Sequence, residues 1–198
     1  SLRASFYGKQ TNRKMVLVTV SKVALFMLTG LSVWSFLTFI DVFFIQSESI
    51  FRSYWIWLFG GSFLAPVIFF FAYLKRKSLF SEFYPKGLFG LLLASFGQWT
   101  GALAVFLTIG KLMRIDISMF SIYPMFMIAT LIGMLTMVPG GMGTFDVLMI
   151  LGMSQLSVRQ DVAVVWLLYY RLFYYVLPFL TGLLLFITHT GVKSIDFR

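Results

Sequence analysis

The sequence predicts an all-α, polytopic membrane helix bundle of about five full spans plus one short or re-entrant helix after a Pro-Gly-Gly break. Three observations carry that expectation. Of 198 residues, 60% are hydrophobic and only 12% charged, and the mean hydropathy is +0.91. A soluble domain is nearer half apolar and a quarter charged. The apolar residues gather in runs of about 20, the length that crosses a hydrocarbon core of about 30 Å as a helix. The basic residues fall mostly in the segments between those runs.

The first run extends from Val16 to Ile45 and is most apolar from Val23, with Lys22 near its start, where it can snorkel to headgroups. The second, Tyr54 to Leu74, contains Gly60, Gly61 and Pro66, and Pro66 predicts a kink. The third is Gly87 to Ile109. The fourth, Phe120 to Val138, ends at Pro139-Gly140-Gly141-Met142-Gly143. A shorter apolar piece follows, Thr144 to Leu156, which as a helix rises only about 20 Å, too little to cross upright. It is either re-entrant or a tilted crossing helix, and both readings start it at Gly143-Thr144. The last run is Val162 to Thr188, with Arg171 and Pro178 inside it. Residues 1–198 thus read as one transmembrane domain, with the break and short helix over 139–158. The chain starts at Ser1 without Met and shows no signal peptide, so a piece of a longer protein is expected.

Lysine and arginine set the orientation. Arg3, Lys9, Arg13 and Lys14 precede the first run, and Lys75, Arg76, Lys77 and Lys86 follow the second, so both segments read as cytoplasmic. The loop between them holds Glu48 and Arg52, read as an exposed surface pair. Lys111 and Arg114 fall on the outside by alternation, and the C-terminus is inside only if the short piece crosses. Basic residues that flank spans explain the net charge of +9 through topology and anionic lipid, not nucleic acid. The absence of cysteine excludes thiolate chemistry in this chain, and one histidine, His189, excludes a multi-histidine metal site. No nucleophile–base pair is visible, so no catalytic residue, metal or cofactor is expected in this chain.

The break is the first candidate site. Proline and three glycines stop a helix, and non-helical backbone at membrane depth must be buried in protein or line a wet cavity. A half-helix starting at Thr144 would turn free N–H groups and a positive dipole end toward an anion. A plain turn at headgroup level fits the spacing equally well. Asp146, in the first turn, either complements the dipole or pairs with a cation. Arg171 is the least expected residue, because an intramembrane arginine faces the interior and finds a partner, with Asp146 available across helices. It can hold a phosphate in a two-pronged contact. Tyr169, Tyr170, Tyr174 and Tyr175 surround it, as headgroup hydrogen-bonders or as an aromatic belt. In the third run, Ser95, Gly97, Gln98, Trp99, Thr100 and Gly101 read first as close packing with cross-helix bonds, and Gln98 secondarily as lining a lipid path.

The stretch from Gln98-Trp99-Thr100-Gly101 through Val138-Pro139-Gly140-Gly141-Met142-Gly143-Thr144-Phe145-Asp146 to Tyr170-Arg171 and Pro178 resembles a known family. It is similar to the membrane flippase domain of bacterial lysylphosphatidylglycerol synthase, the multiple peptide resistance factor family. The first three runs share the resemblance only in hydropathy. The resemblance implies a multi-pass protein of the bacterial plasma membrane, of which this chain is the C-terminal part of the flippase domain. It implies movement of lysyl-phosphatidylglycerol to the outer leaflet, giving resistance to cationic antimicrobial peptides. Gly140, Gly141, Gly143, Thr144, Asp146, Tyr170, Arg171, Tyr174 and Gln98 are then the headgroup-binding candidates. The implied partners are anionic and aminoacylated phospholipids, the remaining flippase spans and a synthase domain, with homo-oligomerisation left open. Transferase activity belongs to that separate domain. Two other classes stay open: a membrane scaffold or regulatory domain for a lipid-modifying enzyme, and a small-solute transporter.

Overall fold

Inside hydrocarbon a backbone has no water to bond, so each apolar run must close its hydrogen bonds within the protein. The computed structural model describes residues 13–45, 50–74, 85–136 and 143–195, and it builds them from helices, with no strand among them. The first run is α1 (Arg13–Phe26), α2 (Thr29–Ile40) and a wider π turn, Asp41–Ile45. The second is a 3-10 turn, Ile50–Tyr54, followed by α3 (Trp55–Ser62) and α4 (Leu64–Leu74). The third is one unbroken helix, α5 (Pro85–Leu112). Then come α6 (Met119–Leu135) and the short α7 (Thr144–Gln155). The last run is α8 (Gln160–Arg171), a π turn at Leu172–Val176 and α9 (Leu177–Ile195). Val16–Ile45, Phe51–Leu74, Gly87–Leu112 and Gln160–Ile187 are long and apolar enough to cross a membrane, and Phe120–Leu135 is a shorter apolar helix. The chain is an all-α membrane helix bundle.

Both of the first two runs are broken, and each break is closed by a neighbour's hydroxyl. Between α1 and α2, at Met27–Leu28, the Gly30 N–H donates to Ser95 Oγ at 2.8 Å, and Ser95 Oγ donates to the Met27 carbonyl at 2.9 Å. The Trp99 indole donates to the same carbonyl at 2.8 Å. Between α3 and α4 the interruption falls at Phe63, just before the expected kink at Pro66. Pro66 has no N–H for the Ser62 carbonyl, and its ring crowds that carbonyl. Ser32 Oγ donates to the freed Ser62 carbonyl at 2.7 Å and accepts from the Ala65 N–H at 3.0 Å. The polar residues Ser95, Trp99 and Thr100 of the third run therefore bond the first run, and Trp34 donates to Thr100 Oγ1 at 3.0 Å. Gly97 and Gln98 are exposed.

The short helix retraces α6. A Cβ on Gly133 would lie 3.4 Å from Phe145 Cβ, and one on Gly152 would meet the Met125 side chain at 2.4 Å, so α6 and α7 pack antiparallel. A turn through Ser157, with φ of 64°, leads into α8, which runs back beside α7. Trp166 lies against Gly110, and Tyr174 lies near Gln98, so the last run is antiparallel to α5 and ends at the end where α5 begins. With the basic segment before α5 as the cytoplasmic end, the last helix finishes on that side. Phe106, Phe126, Met149, Met153, Trp166 and Tyr170 form the buried centre, where α5, α6, α7 and α8 meet.

Gly30 is glycine because α2 and α5 touch backbone to backbone there: an added Cβ would sit 2.4 Å from the Ser95 carbonyl oxygen. Gly30→Ala should destabilise the protein by about 1–3 kcal/mol, the usual range for overpacking. Gly97→Ala, where nothing lies within 4 Å of the new Cβ, should melt with the wild type. Thermal unfolding in detergent compares the two, and equal melting of both variants would contradict the close contact.

Candidate functional site

Glycine is required at the start of α7. Gly143 has φ of +94°, a conformation that side-chain-bearing residues avoid. It turns the chain so that α7 begins at Thr144, the residue expected from the sequence. Asp146 then falls in the first turn, and its Oδ2 accepts the Gly143 N–H at 3.1 Å, closing an otherwise open donor of the helix start. The carboxylate also complements the positive end of the helix dipole.

The same carboxylate meets Arg171. Nε donates to Oδ1 at 3.1 Å and Nη2 donates to Oδ2, a two-pronged contact that joins α7 to the end of α8. The two accounts of Asp146, helix cap and ion-pair partner, are both realised. The pair is neither sealed nor free, since the arginine side chain is 24% exposed and the aspartate side chain 25%. It also lies deep. Gln160–Ile187 is a 28-residue apolar helical stretch. Arg171 sits about 16 Å along it, by helical rise. A charged pair at that depth has little water to screen it, so each partner depends on the other.

Aromatic rings form the wall around the pair. Tyr170 is 4% exposed, and its ring centroid lies 5.6 Å from Phe106, 5.8 Å from Phe126 and 6.0 Å from Phe145. Trp166 stacks on Phe106 at 4.8 Å and donates to the Phe106 carbonyl at 2.9 Å. The π turn after Arg171 brings two further tyrosines onto this face. Its wider turn, with the Leu177 N–H reaching back to the Leu172 carbonyl, lets Tyr170 touch both Tyr174 at 5.3 Å and Tyr175 at 6.3 Å. Pro178 gives the turn its cause, because proline supplies no N–H to the Tyr174 carbonyl. Gln98, on α5, lies within hydrogen-bonding reach of Tyr174. Tyr169, by contrast, points outward and is exposed.

The structure thus gathers Gly143, Thr144, Asp146, Tyr170, Arg171, Tyr174 and Gln98 around one place. Pro139, Gly140 and Gly141 lie outside the described residues, as does Glu48. Sequence reasoning passed over a second polar contact, the Tyr123 hydroxyl donating to Asp41 Oδ2. Asp41 interrupts the apolar run Phe39-Ile40-Asp41-Val42-Phe43, and an ionisable residue inside a span was the available signal. Among the described residues, no three His, Asp or Glu side chains converge as metal ligands.

No family model matches the chain. No solved structure matches it either. Curated proteins do. The phosphatidylglycerol lysyltransferase of Staphylococcus aureus strain COL is 32% identical over 187 residues, covering 93% of this chain and 22% of the relative. The protein of the same name from Staphylococcus aureus strain MRSA252 is 31% identical with the same coverage. That of Staphylococcus haemolyticus strain JCSC1435 is 31% identical over 186 residues, 92% of this chain and 22% of the relative. The chain therefore spans 22% of the length of the curated relatives it matches. Over nearly all of its own length, this membrane bundle is homologous to one segment of the phosphatidylglycerol lysyltransferases.

Proposed function

We propose that this chain is part of a lipid-translocating membrane domain that carries aminoacylated phosphatidylglycerol from the inner to the outer leaflet of a bacterial plasma membrane. The lipid class follows from the relatives' name. The resemblance in the motif around Gly143 and Arg171 supports the direction, from which resistance to cationic antimicrobial peptides would result. The observation that carries the reading is the Asp146–Arg171 pair, deep in the last span, partly exposed and set at a helix start.

The chemistry suits such a headgroup. Lysyl-phosphatidylglycerol bears a phosphate and ammonium groups, so it carries both signs of charge. Arg171 and the N–H groups at the start of α7 would take the phosphate, and Asp146 would take an ammonium. Exchange of the internal pair for a headgroup of both signs leaves neither protein charge alone in hydrocarbon. A lipid with only a phosphate would leave Asp146 uncompensated, at a cost of several kcal/mol for an unpaired buried ion (about 3–5 where burial is complete). Tyr174 and Gln98 add neutral hydrogen-bonding groups beside the charges. Synthesis of the lipid would belong to another part of the parent chain. A purely structural clasp also has an observation in its favour, because Asp146 caps the helix whether or not a lipid binds.

Outer-leaflet aminoacyl-lipid, measured beside total aminoacyl-lipid in cells carrying the full-length parent, separates these readings. Arg171→Ala and Asp146→Asn should each lower exposed lipid by on the order of tenfold to a hundredfold, matching the loss of a charge-assisted contact. Total lipid and protein level should stay unchanged. Unchanged exposure at equal expression would leave the pair a clasp and favour a scaffold. Tyr174→Phe keeps the ring stacking and removes one hydroxyl, so exposure should fall by about fivefold, the worth of one neutral hydrogen bond. The same assay reads it, and a loss as large as that of Arg171→Ala would assign Tyr174 more than a neutral contact.

A further inference from the structure

Asp41 makes a helix contact with an ion where a neutral group would serve. Ser32, Ser95 and Thr100 bond the first span to its neighbours as neutral groups. Asp41 instead meets α6 as a carboxylate, with the Tyr123 hydroxyl donating to its Oδ2. A neutral carbonyl would accept that hydroxyl as readily. An ion within an apolar span carries a desolvation cost that a hydroxyl does not, and an ionisable residue there points first to function. Both residues of the contact are half-buried, so neither is sealed inside the bundle.

The packing defines the depth of this contact. Ser35 and Leu131 both press on Gly61, where an added Cβ would meet them at 2.9 and 2.8 Å. From that level Asp41 lies about 9 Å further along the first run, and Tyr123 about 12 Å back along α6, by helical rise. Both displacements lead away from the end marked by the basic segments, toward the outer side. Gly133, which meets Phe145 at the start of α7, lies on the other side of Leu131. Tyr123 and the Asp146 turn therefore stand about 15 Å apart along α6. A positive group belongs to the same outer end as Asp41. Arg52, in the turn that opens the second run, has its guanidinium 5.2 Å from the centre of the Phe43 ring, on the π turn that Asp41 begins. A carboxylate and a guanidinium thus recur at a second depth.

We propose that Asp41, oriented by Tyr123, receives the ammonium group of an aminoacylated lipid at the outer end of the bundle, with Arg52 placed for the phosphate. The lipid class rests on the translocation reading, while the site itself is one of binding and needs no transport to be seen. An ammonium presents three N–H donors, and its bond to a carboxylate is charge-assisted. Phosphatidylglycerol has the phosphate without the ammonium and gives Asp41 no such bond, so the site distinguishes the two lipids. A soluble alkylammonium offers the same donors without the acyl tails.

Photo-cross-linking tests this in vesicles. The full-length parent is reconstituted in phosphatidylglycerol with a trace of lysyl-phosphatidylglycerol that carries a diazirine beside its headgroup, and labelled peptides are mapped by mass spectrometry. Label should appear in the turn Asp41–Ile45. Unlabelled lysyl-phosphatidylglycerol should compete there about tenfold better than phosphatidylglycerol or the soluble diammonium cadaverine, as a charge-assisted contact added to a lipid anchor predicts. Asp41→Asn keeps an acceptor for Tyr123, so it should melt with the wild type yet lower this labelling by about tenfold. Equal competition by the two lipids, or unchanged labelling in Asp41→Asn, would overturn the site and leave the contact a helix clasp. Cadaverine competing as well as the aminoacylated lipid would overturn the lipid as its ligand. If Asp41→Asn fails to fold, competition on the wild type decides alone. Label near Thr144, reduced by Arg171→Ala, reports separately on the deeper site. Label at Asp41 without label near Thr144 supports the outer site while counting against the Arg171 reading, and the reverse pattern overturns the outer site alone.

Discussion

A helix that stops inside hydrocarbon leaves amide and carbonyl groups that water cannot reach, and the rest of this structure depends on how those groups are satisfied. The protein answers with a side chain placed opposite each described interruption. Ser95 closes the gap in the first span, Ser32 the gap in the second, and Asp146 caps the start of α7. These three polar residues, scattered along apolar runs, thus have a common cause. Ser95, Ser32 and Asp146 each stand where a backbone group would otherwise be unpaired.

The unbroken helix α5 makes this possible. Through Ser95, Trp99 and Thr100 it holds the first span, and through Phe106 and Gly110 it holds Trp166 of the last. A Cβ on Gly110 would meet the Trp166 ring at 2.0 Å, so the indole occupies the space a side chain would take. The stack of Trp166, Phe106, Phe126 and Tyr170 then fixes the end of α8, from which Arg171 reaches Asp146. Burial of large rings gives this support far more contact area than the ion pair itself offers. The rings set the place, and the pair supplies the charge.

Much of this was legible in the sequence, and what was not has a physical reason. Thr144 as a helix start is readable because glycine before an apolar run marks a change of backbone conformation at a single position. The Asp146–Arg171 contact is readable because an arginine within an apolar run needs an opposite charge, and few acids are within reach. The Met27–Leu28 break is not readable, because nothing local causes it: no proline or glycine lies at those two positions, and the hydroxyl that stabilises it comes from Ser95, far along the chain. The Phe63 break is half readable. Pro66 announces a kink, but the exact site of interruption depends on Ser32. Asp41 and Tyr123 meet across two helices that sequence spacing alone does not bring together.

The placement of charge and of helix interruptions within the bundle follows from the same economy. The N-terminal spans interrupt their helices with neutral hydroxyls, which satisfy the backbone without placing an ion there. The C-terminal half interrupts its helix with a carboxylate, which cannot be left alone at that depth and so must be met by Arg171 or by an equivalent cation. A charged bridge suits a place that exchanges partners of opposite sign. Between them α5 has Ser95 and Trp99 on one face and Gln98 on another, within reach of Tyr174. The first two spans and the neighbourhood of Arg171 therefore share contacts with one unbroken helix, α5.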